Sequence, residues 1–112
     1  MTADEFTQSI ITEVVDGNSA FYESTFRDTR PEQASDPHWR AALAMFASLP
    51  ESQRPAFFAV LRQVAVDSVS NVFGILDGSS SLGSHSEEFR LSTSTGERLT
   101  DLQDRFLSHF TP

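Results

Sequence analysis

The segment from Pro55 to Leu76 is the longest helical pattern in the chain, and its apolar residues lie on more than one side. Placed at about 100° per residue, they spread over roughly 240° of the helix and leave only Gln63, Asp67 and Ser70 in the contiguous polar arc. So wide an apolar face must be covered on most sides. We therefore predict that this helix, about 33 Å long, is the centre of the fold.

Two polar residues interrupt the apolar arc of this helix. Ser68 lies near its middle, where a small side chain lets a second helix approach while its hydroxyl bonds to a carbonyl one turn earlier. Arg62 lies toward one edge of the arc, and we expect its guanidinium to reach solvent or to meet a carboxylate.

Capping signals predict two helices before the central one. Thr2 and Glu5 form a capping box ahead of an apolar pattern that runs to about Arg27, and we favour one helix with a local irregularity at Gly17 over two segments. Asp36 precedes a proline, which is the arrangement of an N-cap and a first helical residue whose missing N–H costs nothing. A second helix is therefore expected to begin there.

The C-terminal part predicts a hairpin and a last helix. Polar and apolar side chains alternate near residues 87–100 around a turn at Gly96, and such a hairpin needs support from the helices because it is marginal alone. Thr100 and Gln103 form a further capping-box pattern, so the last helix should start there and reach almost to Pro112.

These elements define the expected architecture. The fold class is α+β and predominantly helical, with about four helices around the central Pro55–Leu76 helix and one β-hairpin near residues 87–100. At 112 residues, the chain is long enough for one domain with a core and too short for two, so residues 1–112 are treated as a single domain.

The stretch DGSSSLGS, residues 77–84, joins the central helix to the hairpin. Asp77 and Gly78 end the helix, with Gly78 in the left-handed cap position. The glycine spacing matches neither the dinucleotide-binding nor the P-loop pattern, and a strand follows where a phosphate site needs a helix N-terminus. We predict a joint between elements rather than a ligand-binding loop.

Charge and residue types narrow the classes of partner and chemistry. Sixteen acidic against eight basic residues leave a net charge of -8, so we expect neither a nucleic-acid nor a membrane partner. The chain has no Lys and no Cys, which removes Schiff-base and thiolate chemistry and Cys-based zinc sites. The first residues lack the basic and apolar regions of a secretory signal, and Arg62 and Gln63 interrupt the longest apolar run, so we expect a cytoplasmic protein.

No motif in the sequence indicates catalysis. His38, His85 and His109 lie on different predicted elements without partners at ligand spacing, and no serine stands in a nucleophile motif. We therefore predict no catalytic residue, metal or cofactor, and favour a binding protein over an enzyme.

The candidate partner-binding residues carry acidic or amide side chains. Asp67 lies in mid-helix at the margin of the exposed arc with Asn71 one turn further on, and neither residue has a capping role there. The full set of candidates is Asp67, Asn71, Asp77, Glu87 and Glu88.

The C-terminal half resembles a pattern found in small uncharacterised bacterial proteins. An Asp-bearing apolar helix ends in FGILDG and is followed by a polar loop, FRL, a Gly-bearing turn and LTDLQDRFL, over about residues 66–107. The resemblance implies a bacterial source and carries no activity or site with it. Its residues are Asp67, Leu76, Asp77, Gly78, Phe89, Leu91, Leu102 and Phe106.

Three functional hypotheses follow. The leading one is a non-enzymatic protein whose acidic surface engages a basic protein partner, as an immunity-type or antitoxin-type inhibitor of a bacterial toxin would. The second is a homodimeric structural or adaptor protein that buries part of the apolar arc through Phe58, Val69 and Phe73. The third is a small-molecule-binding domain with a pocket between the central helix and the hairpin.

Overall fold

The structure, a computed structural model, describes residues 1–110 and begins with one long helix. Helix α1 (Ala3–Ile10), a π-helical segment (Ile11–Asp16) and α2 (Gly17–Asp28) follow one another without a break in right-handed helical backbone. The Thr2 hydroxyl accepts a hydrogen bond from the Glu5 N–H at 3.1 Å and so caps the helix. The predicted single helix with a local irregularity is confirmed, and the irregularity is the π segment immediately before Gly17.

Two further helices follow as their caps predict. Helix α3 (Pro37–Ser48) begins after Asp36, whose carboxylate accepts a hydrogen bond from the His38 N–H at 2.8 Å. Short 3₁₀ turns flank α3 at Pro31–Gln33 and Glu51–Gln53. Helix α4 (Arg54–Asp77) has 24 residues and ends at Gly78, whose φ of 82° is the left-handed cap.

The hairpin and the last helix complete the fold. Strand β1 (Leu91–Ser92) pairs antiparallel with β2 (Arg98–Leu99). Helix α5 (Leu102–Leu107) follows at once. The predominantly helical α+β class, the central helix and the hairpin are all confirmed.

The predicted start of α5 is wrong in its chemistry. Asp101, not Thr100, occupies the N-cap position, with a φ of 55°. The first N–H groups of α5 are capped from a distance: the two carboxylate oxygens of Asp77 accept hydrogen bonds from the backbone N–H groups of Leu102, at 3.0 Å, and Gln103, at 2.8 Å. The sequence predicts that the last helix reaches almost to Pro112. Within the described residues α5 ends at Leu107, and Pro112 lies outside them.

Two separate apolar clusters share α4. One joins the first helix to β2, α5 and the C-terminal half of α4, and Val15, Leu102 and Phe106 are fully buried in it. The other packs Phe26 of α2 against α3 and the N-terminal half of α4. Because each cluster covers only one half of α4, and from different directions, a large part of that helix stays uncovered.

The side of α4 that faces the core contains most of the predicted apolar arc, including Val66 and Phe73, but differs from the prediction at two serines. Ser70, expected in the polar arc, is only 6% exposed, and its hydroxyl accepts a hydrogen bond from the Gln103 side-chain amide at 3.2 Å. Ser68, expected to receive a second helix, is exposed instead. The Arg62 guanidinium lies 2.7 Å from the Asp16 carboxylate. Of the two predicted alternatives for Arg62, contact with a carboxylate is therefore the one observed. Ser70 is buried because α5 packs against this side of α4 and Gln103 of α5 donates a hydrogen bond to the Ser70 hydroxyl.

Candidate protein-binding surface

A row of small and apolar side chains lies uncovered along α4. Every fourth residue from position 56 to 72 is exposed, which places them side by side along one oblique ridge of the helix. The three valines are exposed by 62% at Val60, 57% at Val64 and 53% at Val72. We call this set the α4 row; its members are Ala56, Val60, Val64, Ser68 and Val72.

A polar edge runs beside the α4 row. Gln63, Asp67 and Asn71 form the neighbouring ridge and are all exposed. The Gln63 side-chain amide donates a hydrogen bond to the Asp67 carboxylate at 2.9 Å. An apolar centre next to polar, solvent-accessible side chains is the usual anatomy of a protein interface.

On its other side, the α4 row borders an open groove between α4 and the first helix. A cavity of about 630 Å³ lies between α2 and α4, and Tyr22, Phe58 and Val64 are among its walls. A second, more open cavity of about 300 Å³ lies between α4 and the earlier part of the first helix. It is lined by Ile10, Val14, Ser68, Val69, Val72 and Phe73. Val64, Ser68 and Val72 belong to both the row and the groove, so the two form one continuous surface.

The radius of gyration and the solvent-accessible area agree with an α4 surface that other elements cover only in part. The radius of gyration is 17.7 Å, against about 13 Å for a compact chain of this length. The solvent-accessible area is 7577 Å², which is about 1,400 Å² more than the roughly 6,100 Å² expected for a monomer of 12.4 kDa. Part of this excess belongs to residues 78–90, which connect α4 to the hairpin and are all exposed; we call them the connector. The α4 row contributes to the apolar part of the excess area.

The five predicted partner-binding residues fall in three places. Asp67 and Asn71 are exposed together on the polar edge of the α4 row. Asp77 is half-buried and engaged in capping α5. Glu87 and Glu88 are exposed in the connector, where the Glu87 carboxylate lies 3.6 Å from the His85 ring.

The apolar residues that are exposed on α4 differ from those that the sequence predicts for a homodimer interface. Phe73 is 5% exposed and packs on Phe106, while Val69 and Phe58 are half-buried against the two apolar clusters. The exposed positions are the valines of the α4 row, which the sequence places within the apolar arc, with Val60 at its margin next to Asp67 and Val72 near its middle. Their periodicity is that of buried residues, so the sequence carries no signal that they are left uncovered.

Charge is distributed unevenly over the surface. Between its ends, α4 holds one carboxylate, Asp67, together with Arg62. Several other carboxylates are paired with arginines, including Asp4 with Arg105 at 3.0 Å. The face that carries the α4 row therefore holds few carboxylates for a chain with net charge -8.

The described residues offer less for a metal site or for a small-molecule pocket beside the hairpin than for a protein-binding surface. Among residues 1–110, no three His, Asp or Glu side chains lie close enough together to hold a metal ion. The cavity nearest the hairpin, about 400 Å³, is formed largely by polar residues of the connector. The groove of about 630 Å³ lies between α4 and α2 rather than beside the hairpin, and it includes Arg62 but neither Asp67 nor Asn71.

One helical stretch, Glu51–Asp77, is long and apolar enough to cross a membrane. Such a helix is weak evidence by itself, because central helices of soluble proteins meet the same criterion. A span would place Arg62 and Asp67 in hydrocarbon, at about 2.5 to 3.5 kcal/mol for each charge near the centre. In the structure, Arg62 pairs with Asp16 of the first helix instead. A cytoplasmic location stays a prediction.

Comparison with known proteins adds no relative. The chain matches no family model, and no curated protein and no solved structure is significantly similar to it.

Proposed function

We propose that this chain is a non-enzymatic protein-binding domain and that the α4 row is its binding surface. The observation that carries the proposal is the exposure of Val60, Val64 and Val72 by more than half on one ridge of the central helix. Their β-branched side chains are stiff, so little side-chain freedom is lost when a partner covers them. Soluble proteins rarely leave a contiguous apolar surface uncovered unless it binds something.

A narrower form of the proposal is an immunity-type or antitoxin-type inhibitor of a basic bacterial toxin. The net charge of -8 and the exposed carboxylates of Asp67, Glu87 and Glu88 support it, because they would steer a cationic partner toward this protein. In that case the acidic residues set the association rate, and binding weakens as salt rises.

Capture from the source organism tests the general proposal. Tagged protein is immobilised, incubated with lysate, and the retained proteins are identified by mass spectrometry at low and at physiological salt. The row variant, Val60→Asp with Val64→Asp, is compared with a matched surface control on α2, Ala20→Asp with Ser24→Asp. Both variants introduce two carboxylates four residues apart on an exposed helical face.

We expect a protein that is retained by the wild type and the surface control and lost from the row variant. If the row variant retains the same proteins as the wild type, the α4 row is not the binding surface. Retention of a basic protein that depends on low salt and on Asp67 or Glu87 would support the inhibitor; failure to retain one at either salt concentration would overturn it.

A further inference from the structure

We infer that the partner that covers the α4 row is a second copy of this chain, packed about a two-fold axis that passes near Val64. The inference rests on the proposed function, since it names the occupant of the same surface. Three observations favour a second copy: the area left exposed, the charge of the surface and the shape of the row.

Part of the area that the chain exposes is available for a homodimer interface. The chain exposes about 1,400 Å² more than expected for a monomer of its mass, and the connector at 78–90 accounts for some of that excess. Each partner in a homodimer commonly buries roughly 1,000 to 2,500 Å². Pairing two copies through the α4 row and its groove would therefore bring the exposed area per chain toward the value typical of compact proteins.

The charge distribution restricts where two such chains can meet. Each carries a net charge of -8, so association through most of the surface would oppose like charges. The α4 row reduces this repulsion because Asp67 is the one carboxylate of α4 ahead of its last residue. A -8 chain can therefore approach its own copy here at a lower electrostatic cost than through surfaces that carry more carboxylates.

The row is also complementary to itself. Helices that interdigitate residues four apart cross at about -50°, the most frequent class of helix packing in globular proteins. Val64 is the middle member of the row, so a two-fold axis near it brings Val64 beside its own symmetry mate. The same axis sets Val60 against Ser68, which pairs a larger side chain with a smaller one.

Sedimentation equilibrium of the purified full chain at micromolar concentration is the first test. We expect a dimer for the wild type and for the surface control Ala20→Asp/Ser24→Asp. The row variant Val60→Asp/Val64→Asp should dissociate at least 100-fold more readily while its far-ultraviolet circular dichroism stays unchanged. Association should tighten as salt screens the two like-charged chains.

Cysteine cross-linking tests the position of the axis. The chain has no cysteine, so each introduced thiol reacts without competition. Val64→Cys should form a disulfide-linked dimer on mild oxidation, because only residues beside the axis meet their own copy. Val60→Cys alone should not, whereas Val60→Cys combined with Ser68→Cys should.

Each outcome separates the inference from the proposed function. A strictly monomeric wild type overturns the second copy as occupant, and so does a dimer that the row variant leaves intact. If the wild type is monomeric yet captures another protein through the α4 row, the proposed function stands and only the inference fails. A monomer that captures nothing through the row overturns both.

Discussion

Replacing Asp77 with alanine should weaken the whole C-terminal half of the protein. The Asp77 carboxylate accepts hydrogen bonds from the first two N–H groups of α5, at 3.0 Å from Leu102 and 2.8 Å from Gln103. Helix α5 has only six residues, far fewer than an isolated helix needs, so its stability depends on this cap and on packing. Its Leu102 and Phe106 are fully buried in the larger apolar cluster.

The size of the effect follows from those two hydrogen bonds. Loss of an N-cap side chain costs about 0.5 to 2 kcal/mol, and hydrogen bonds to a charged group are worth about 1.5 to 3 kcal/mol. The site is half-buried, so water replaces part of what is lost. We expect Asp77→Ala to lower the free energy of unfolding by about 2 kcal/mol. Asp77→Asn keeps one acceptor oxygen and should lose about half as much.

Urea unfolding at one fixed protein concentration measures this loss, because association would add to the apparent stability. With a slope of about 2 kcal/mol/M for a chain of this size, the midpoint should fall by roughly 1 M. The matched control is Asp67→Ala, which removes an exposed carboxylate from the same helix and should change stability by less than about 0.5 kcal/mol. If Asp77→Ala unfolds at the same urea concentration as Asp67→Ala, the remote cap does not hold α5.

Three further predictions use the same unfolding measurement. Gly74→Ala should lower the free energy of unfolding by about 1 to 2 kcal/mol, although alanine has the better helix propensity, because the new Cβ would lie 2.9 Å from the Gln103 amide nitrogen. An unchanged or higher urea midpoint would show that the Gln103 amide moves aside without cost. Gly78→Ala should destabilise the protein by about 1 kcal/mol because the backbone there is left-handed, with a φ of 82°. Gly17 has a φ of -60°, so Gly17→Ala should stabilise the protein by up to about 1 kcal/mol. Equal effects of the two substitutions would contradict this explanation. Phe106→Ala should cost about 3 to 5 kcal/mol as a fully buried ring is lost, and a smaller loss would mean that α5 contributes little to the core.

Most of the local structure was predictable because short-range chemistry decides it. The caps at Thr2 and Asp36 and the left-handed cap at Gly78 depend on neighbours within a few residues, and each helix begins or ends where its cap predicts. The α5 cap was not predictable in this way. Its two donor N–H groups lie 25 and 26 residues from Asp77 in sequence, so only the folded chain brings them together.

By itself, the sequence determined that α4 is a long helix with an apolar face too wide for a surface element. Only the tertiary structure decided which part of that face is buried. The side at Ser70 is covered because Gln103 of α5 satisfies its hydroxyl, and the side at Val60 and Val64 is left open. The physical reason is that helical periodicity records how many sides of a helix are apolar, whereas the docking of distant elements selects the sides that they cover.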